Sequence, residues 1–259
     1  VISFFRRINM KVIGIIPARY GSTRFPGKPL ADVDGKPMIQ RVYEQAKKCP
    51  LLSEVVVATD DIRIETVVKQ FKGNVVMTST HHESGTDRCD EALKKIGNAA
   101  YDVVINIQGD EPFIHPDQVL KVIGCFKDKN VTIASLAKKI TTDNELDNVN
   151  TIKVVMDKNK DALYFSRTAL PYYNKKDRSD RLKFHTYYKH VGIYGYQTNI
   201  LSDITKLKRS PLEIAESLEQ LRWIENGYKI RMELTDQEAY SIDTPEDLKQ
   251  AIDFFSDKK

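Results

Sequence analysis

The chain has 259 residues and a nearly even charge, with 40 lysines and arginines against 36 aspartates and glutamates and a formal net charge of +4. This length allows one large α/β domain with a sizeable core. The charge balance argues against a protein that coats a nucleic acid, and no stretch approaches the roughly 18 consecutive apolar residues of a membrane span. We therefore expect no nucleic-acid partner and no insertion into a membrane.

The cysteines and the first residues indicate the compartment. Three cysteines are scattered along the chain without a C-x-x-C pair, which argues against a disulfide framework and against a zinc knuckle. Residues 1–9 are too short and too polar for a signal peptide, and Met10 directly precedes the first apolar run. We therefore expect a single domain over residues 10–259, an N-terminal extension over residues 1–9, and a reducing cytoplasm.

Strand and helix patterns alternate along the first half of the chain. Short apolar runs typical of buried strands alternate with helices that bury one face, and the first run is expected to end at Pro17. The predicted strands cover residues 12–16, 55–58, 75–78 and 103–107, and the predicted helices follow Pro37, Asp60 or Asp61, Thr86 and His115. This order predicts a mostly parallel central sheet with helices on both faces.

The pattern changes after residue 131, where strand-like runs follow one another with little helix between them. The predicted strands cover residues 131–137, 152–156, 162–165, 191–196 and 229–234. Some must be antiparallel, so we expect a smaller antiparallel excursion from the main sheet. One helix is predicted over residues 211–226, capped by Ser210, with Leu212, Ala215, Leu218 and Leu221 buried, and another begins near Thr244.

A loop with three cations follows the first strand. It carries Arg19, Arg24 and Lys28 together with two glycines. Because glycine lets backbone N–H groups approach an anion closely, the loop predicts a phosphate site. The glycine spacing is one residue too long for a Walker P-loop, and Pro29 stands where that pattern needs a hydroxyl. The alternative is a basic loop that only faces water.

Acidic residues occur at the ends of two other elements. Gln108, Asp110 and Glu111 follow the fourth strand, and Asp243 precedes the last helix. Ligands of open α/β sheets bind at the carboxyl ends of the strands, and magnesium takes one or two carboxylates with water and phosphate oxygens. We therefore predict a magnesium site at Asp110 and Asp243. The alternative for each acid is a helix cap or a turn.

A polar segment over residues 78–88 lies between a strand and a helix. Ser84, Gly85, Thr86 and Arg88 suit hydrogen bonding to a base, a ribose or a phosphate at a helix start. The alternative is helix capping, with Thr86 as the N-cap. The second half adds polar groups among aromatics, none of them diagnostic alone, and a histidine at position 190 in an apolar context is typical of a structural role.

Taken in order, these segments resemble the cytidylyltransferases that make CMP-activated 3-deoxy-D-manno-octulosonate (KDO), from about residue 11 to residue 254. The resemblance is carried by IIPARYGSTRFPGKPL, VVVATDD, MTSTHHESGTDR, VINIQGDEP, ALYFSR, KHVGIYGY, SPLEIAESLEQLRWIENG and SIDTPEDL. It implies a Rossmann-like nucleotidyltransferase fold and transfer of CMP from CTP to the anomeric hydroxyl of KDO, with pyrophosphate released. It also implies a magnesium requirement, a homodimer and a place in lipopolysaccharide biosynthesis.

The resemblance further implies roles for individual residues. The catalytic group would be Arg19, Lys28, Asp110 and Asp243, the two aspartates being the magnesium ligands. The CTP-binding group, in a half that spans about residues 10–130, would be Arg19, Arg24, Lys28, Ser84, Gly85, Thr86, Arg88 and Gln108. The sugar-acid group, in a half that spans about residues 131–259 and also makes the dimer contacts, would be Arg167, His190, Tyr194, Glu219 and Gln220.

Two other hypotheses stay open at this point. One is a cytidylyltransferase for another ulosonic acid, such as 8-amino-KDO or a sialic acid. The other is a non-catalytic nucleotide-binding protein of the same fold, against which the presence of both aspartates speaks. The departures from the family pattern are Phe25, where leucine is usual, and a basic, aromatic segment over residues 174–189.

Overall fold

The computed structural model describes residues 10–21, 24–174, 177 and 180–256, and it has an α/β architecture. The strands are β1 (Val12–Ala18), β2 (Leu52–Thr59), β3 (Asn74–Met77), β4 (Val103–Asn106), β5 (Ile133–Lys139), β6 (Lys153–Met156), β7 (Ala162–Ser166), β8 (Tyr188–Gln197) and β9 (Ile230–Leu234). The helices are α1 (Met38–Lys47), α2 (Ile62–Gln70), α3 (Gly85–Ile96), α4 (Pro116–Cys125), α5 (Asp143–Asp147), α6 (Arg181–Phe184), α7 (Thr198–Ile204), α8 (Pro211–Glu216), α9 (Glu219–Glu225) and α10 (Pro245–Ser256).

One sheet runs through the described residues, in the order β3-β2-β1-β4-β8-β5-β9, with β6 and β7 attached beside β8. Strands β1 to β4 pair in parallel. Strand β8 then runs antiparallel to both β4 and β5, and β6 is antiparallel to β7 and β8. The predicted parallel sheet with an antiparallel excursion in the second half is therefore confirmed.

The sheet is buried on both faces. Along β1, Val12 and Ile16 belong to one apolar cluster, whereas Ile13 and Ile15 belong to another. Successive side chains of a strand point to opposite faces, and helices cover both faces of a parallel sheet. Because both faces of β1 are covered, its sequence is a continuous apolar run, which is the pattern that predicted this strand.

Strand β1 continues past the point where we expected it to end. Pro17 pairs with Ala58 of β2 and the strand runs to Ala18. The pairing of β1 with β4 stops earlier, at Ile15. Proline is tolerated where a strand has a neighbour on one side only, so Pro17 lies inside the strand instead of terminating it.

The helix predicted over residues 211–226 is two helices, α8 and α9. Ser217 adopts a left-handed backbone with φ 52° and ends α8. Leu212 and Ala215 are exposed, contrary to expectation, whereas Leu218 and Leu221 are buried as expected. The buried residue of α8 is Glu213, and an apolar pattern could not indicate a buried acid.

The short helices α5, α6 and α7 were absent from the predicted elements. They have 5, 4 and 7 residues, which is too short for an apolar period to become visible. None of the helices in the described ranges is long and apolar enough to cross a bilayer.

Candidate active site

A pocket of about 320 Å³ opens at the carboxyl ends of β1 and β4. Several chain segments that are distant in the sequence meet there. The lining residues are Pro17, Ala18, Arg19, Arg24, Lys28, Pro29, His82, Glu83, Ser84, Gly85, Arg88, Gln108, Gly109, Asp110 and Asp243. The basic loop, the start of α3 and the two predicted magnesium ligands therefore share one pocket, whose position is the usual ligand edge of an open sheet.

Lys28 lies between the two acids. Its Nζ is 2.7 Å from Asp110 Oδ2 and 3.2 Å from Asp243 Oδ1. Arg24 Nη2 is 3.1 Å from the same Asp243 oxygen, although the arginine side chain is largely exposed. Two carboxylates therefore converge on one point of the pocket and are surrounded by cations.

The backbone brings these carboxylates together. Ile242 N donates to the Asp110 carbonyl at 3.0 Å, which ties the segment before Asp243 to the loop after β4. A Cβ on Gly109 would lie 2.7 Å from the Pro17 carbonyl oxygen, so the loop approaches β1 more closely than a side chain allows. Asp243 then follows directly at the start of α10, where its N–H donates to Asp247.

The start of α10 packs against the basic loop through apolar side chains. Ile242 and Ala251 are buried in one cluster with Val33 and Met38, and Phe25 packs against it. This cluster connects the loop that carries Arg24 with the segment that carries Asp243. Phe25, the departure from the family pattern, is thus a packing residue beneath the pocket.

Lys28 begins a 3-10 helix, Lys28–Leu30, directly after a strained turn. Gly27 has φ 72° and its N–H donates to the Tyr20 carbonyl at 3.0 Å. A Cβ there would meet the Tyr20 ring at 3.1 Å. The glycine therefore closes the basic loop and directs Lys28 into the pocket, while Arg19 remains exposed on the pocket wall.

The N-terminus of α3 forms the opposite wall. Ser84, not Thr86, caps the helix: its hydroxyl accepts from Asp87 N, and Asp87 accepts from Ser84 N in return. Ser84 and Gly85 both line the pocket. The first turn of α3 therefore presents its positive end to the same space as Lys28, which is favourable for an anion.

Arg88 lines the pocket but is held by the protein. Its side chain is buried, and its guanidinium donates to Thr78 Oγ1 at 2.6 Å and to Asp60 Oδ2 at 2.8 Å. This bonding fixes the strand ends β2 and β3 to α3. Gln108, whose amide lies 3.4 Å from Asn106 Oδ1, extends the wall on the β4 side.

Thr86 does not line this pocket. It is 3% exposed, and its hydroxyl donates to Glu219 Oε2 at 2.8 Å. The structure therefore joins one predicted nucleotide residue to one predicted sugar-acid residue. Burial raises the pKa of the Glu219 carboxyl, although the nearby hydroxyls of Thr86 and Ser84 act in the opposite direction.

His190 and Tyr194 are packed together on β8. Their ring centroids are 5.1 Å apart, and Ser135 Oγ lies 2.8 Å from His190 Nε2. Removal from water lowers the pKa of His190 to about 3, so the ring is neutral at neutral pH. Because Tyr194 pairs with Asn106 at the end of β4, this aromatic group adjoins the strand that leads into the loop with Gln108 and Asp110.

Arg167 lies apart from the pocket lining, and Gln220 is buried near the start of α9. The Arg167 guanidinium donates to the carbonyls of Glu216, Val149 and Ser217, at 2.7, 3.2 and 3.4 Å. It thus stabilises the C-terminal end of α8. The structure places the sugar-acid candidates around β8 and the α8–α9 junction, with Arg167 at the outer side.

Glu111 is a buried acid whose environment the sequence does not indicate. It is 4% exposed, and among the described residues its Oε2 has no hydrogen-bond partner. Burial, together with the charge of Asp110, raises the pKa of Glu111 to about 8. Its carboxyl fits beside Gly192 of β8, so it is part of the wall between the two groups of candidates.

Comparison with known proteins agrees with this geometry. A cytidylyltransferase family model matches residues 13–234. The 3-deoxy-manno-octulosonate cytidylyltransferase of Parabacteroides distasonis is 58% identical over 96% of this chain and 100% of its own length. The protein of the same name from Bacteroides thetaiotaomicron is 57% identical, also over 96% of this chain and 100% of its own length.

Solved structures show the same similarity. A CMP:2-keto-3-deoxy-manno-octonic acid synthetase complexed with CTP matches with a TM-score of 0.89 at 41% identity, covering 96% of this chain and 100% of the other. A cytidylyltransferase from Leptospira borgpetersenii matches with a TM-score of 0.63 at 18% identity, covering 95% of this chain and 87% of the other. The second match shows the fold alone.

Proposed function

This chain belongs to the 3-deoxy-manno-octulosonate cytidylyltransferases, and we propose that it transfers CMP from CTP to the anomeric hydroxyl of KDO, with release of pyrophosphate. The observation that carries the proposal is the convergence of Lys28, Asp110 and Asp243 at 2.7 and 3.2 Å in a pocket that also contains the N-terminus of α3. The full-length identity to the named relatives supports the same activity.

We propose that the triphosphate of CTP lies between the basic loop and the first turn of α3. Lys28 and Arg24 supply positively charged side chains, and the α3 N-terminus supplies backbone dipoles. In phosphoryl and nucleotidyl transfer, such groups stabilise the charge that grows on the leaving pyrophosphate. Ser84, Gly85 and Gln108 are then available to the nucleoside, with Arg88 fixing their wall.

We also propose that Asp110 and Asp243 hold magnesium. Both carboxylates approach one point, and the described residues contain no group of three His, Cys, Asp or Glu side chains that could hold a metal. Two carboxylates nevertheless fit magnesium, because it completes its shell with water and phosphate oxygens. When bound, magnesium supplies Lewis-acid polarisation of a phosphoryl oxygen. Asp110 and Asp243 would hold the ion, and the Lys28 ammonium beside them would contact the phosphates.

We place the sugar acid beside β8 and the start of α9. Tyr194 is the β8 neighbour of Asn106, and a Cβ on Gly192 would lie 3.8 Å from the Gln108 side chain. His190, Tyr194, Glu219 and Gln220 therefore adjoin the nucleotide pocket. Arg167 is assigned to the outer end of this group, where its charge would attract the carboxylate of the sugar acid.

The assembly of the protein is part of the proposal. Large exposed apolar side chains of the second half, among them Tyr172, Phe184, Leu163 and Ile214, support a homodimer formed by this half of the chain. Light scattering coupled to gel filtration measures this oligomeric state directly.

The compartment and the pathway complete the proposal. Unpaired cysteines support a reducing cytoplasm, and the activity implies a role in lipopolysaccharide biosynthesis.

A substrate panel tests the function. The protein is incubated with magnesium, one nucleoside triphosphate and one sugar acid, and pyrophosphate is measured. CTP with KDO is expected to give the highest kcat/KM. Turnover with 8-amino-KDO or a sialic acid but not with KDO would change the assigned acceptor and leave the proposed CMP transfer in place. Tight CTP binding without pyrophosphate from any acceptor would instead support a nucleotide-binding protein that lacks catalysis.

A further inference from the structure

One hydrogen bond joins the start of α3 to the start of α9. Thr86 Oγ1 donates to Glu219 Oε2 at 2.8 Å, across a long separation in the sequence. Thr86 is the second residue of α3 and Glu219 is the first residue of α9. The bond therefore connects the first turns of two helices that lie on different candidate subsites.

The start of α3 supplies the short hydrogen bond to the Glu219 carboxylate. The guanidinium of Arg222 is farther away, with Nη2 3.7 Å from Glu219 Oε1. That arginine is already bound by Glu213, through contacts of 2.9 and 2.8 Å. The hydroxyls of Thr86 and Ser84 are thus the short-range groups that stabilise the ionised form of Glu219 against its burial.

The same helix turn faces the nucleotide pocket. Ser84 and Gly85 line that pocket, and the residue that follows them donates to Glu219. The capping box between Ser84 and Asp87 makes this turn one hydrogen-bonded unit. The turn that lines the pocket and the hydroxyl that contacts Glu219 therefore belong to the same hydrogen-bonded unit.

We propose that Thr86 is a positioning residue that couples nucleotide binding to sugar-acid binding through its hydrogen bond to Glu219. The inference rests on the proposed placement of the sugar acid beside Glu219. Nucleotide in the pocket fixes the first turn of α3, and Thr86 then holds the Glu219 carboxylate in one orientation for the sugar hydroxyls. Because coupling between two sites is reciprocal, KDO strengthens CTP binding by the same factor.

Thr86→Val tests the coupling with little change in shape. Valine keeps the branched side chain and its burial but removes the donor to Glu219. Calorimetry measures KDO binding with and without a non-hydrolysable CTP analogue, and the ratio of the two dissociation constants is the coupling factor. The variant is expected to raise the KM for KDO at saturating CTP by about five- to tenfold, the lower end of the range for coupling between two sites. The dissociation constant for the CTP analogue measured without KDO is expected to stay within about twofold, and the coupling factor to fall toward one.

Two further variants separate positioning from stability. Thr86→Ser keeps the hydroxyl and is expected to restore most of the coupling. Thr205→Val is the matched control, because Thr205 Oγ1 donates to Asp90 Oδ2 of the same helix at 3.2 Å, away from the pocket lining. It is expected to change the melting temperature without changing the coupling factor.

Two results would overturn the proposal in distinguishable ways. If Glu219→Gln leaves the KM for KDO unchanged, the placement of the sugar acid beside Glu219 is wrong and the coupling proposal falls with it. If Glu219→Gln raises that KM but Thr86→Val keeps the wild-type coupling factor, the sugar-acid site stands and Thr86 has no coupling role.

Discussion

Lys28→Met removes one positive charge from the centre of the candidate site while keeping the length of the side chain. In the structure the Lys28 ammonium contacts Asp110 at 2.7 Å and Asp243 at 3.2 Å, and 15% of the side chain is exposed. The substitution therefore changes charge at the point where we place the triphosphate. Its effects on catalysis and on folding have different sizes and can be separated.

The effect on folding is expected to be small. The side chains of both acids are partly exposed, at 24% for Asp110 and 39% for Asp243, and ion pairs that retain water contact contribute about 0–1 kcal/mol each. Loss of two such pairs lowers the free energy of unfolding by no more than about 2 kcal/mol. Loss of a group that stabilises growing transition-state charge costs about 2.7–4 kcal/mol, or about 100- to 1000-fold in kcat.

The assay is pyrophosphate release from CTP and KDO, with urea denaturation of the same samples. Lys36→Met is the control, because Lys36 Nζ makes an ion pair of equal length, 2.7 Å, with Glu44 outside the pocket lining. The control is expected to keep wild-type kcat. A kcat for Lys28→Met within about threefold of wild type would refute the reasoning, because the basic loop would then only face water.

Three further outcomes follow from particular contacts. Asp110→Asn is expected to lower kcat at least about 100-fold with a native circular-dichroism spectrum, and a kcat close to that of the wild type at the same magnesium concentration would remove Asp110 from the metal site. Gly109→Ala is expected to lower the free energy of unfolding by about 1–3 kcal/mol, because the new Cβ would lie 2.7 Å from the Pro17 carbonyl oxygen; an unchanged urea midpoint would contradict that contact. The His190 pKa is lowered to about 3 by burial, so below pH 6.5 the unfolded state takes up a proton that the folded state does not. Stability is therefore present above pH 6.5 and is lost toward pH 3, by up to about 1.4 kcal/mol per pH unit. His190→Gln should flatten this slope in urea denaturation at several pH values, and an unchanged slope would contradict the lowered pKa of the His190 ring.

Elements with a regular apolar pattern could be predicted from the sequence. Helix α1 buries Met38, Ile39, Val42, Tyr43 and Ala46, the face that its spacing indicated. The parallel strands were visible because both of their faces are covered, which leaves an uninterrupted apolar run. Local chemistry was also visible where one side chain determines it, as at the cap of α2 by Asp61.

The break between α8 and α9 could not be predicted in this way. A pattern of leucines at helical spacing continues through Ser217, and serine has no strong preference for a left-handed backbone. The break depends on a partner from the other helix: Arg222 binds Glu213 in a buried pair with contacts of 2.8 and 2.9 Å. Such a pair is set by the tertiary structure, and a sequence period contains no signal for it.

The candidate site, like the fold, could be predicted from the sequence only in part. The sequence indicated which residue types gather at strand ends, and the structure brings Lys28, Asp110 and Asp243 together there. The sequence could not indicate that the Thr86 hydroxyl bonds to Glu219 instead of facing the nucleotide pocket. That contact depends on the strand order β1-β4-β8 and on the packing of α9. The basic loop and the acids alone would suit many nucleotidyl transfers. What distinguishes this site is the second-half wall of β8 and α9, which contacts the strand and the helix beside the pocket at Asn106 and Thr86, so selectivity for the acceptor should change with substitutions in that wall and not with substitutions at Lys28.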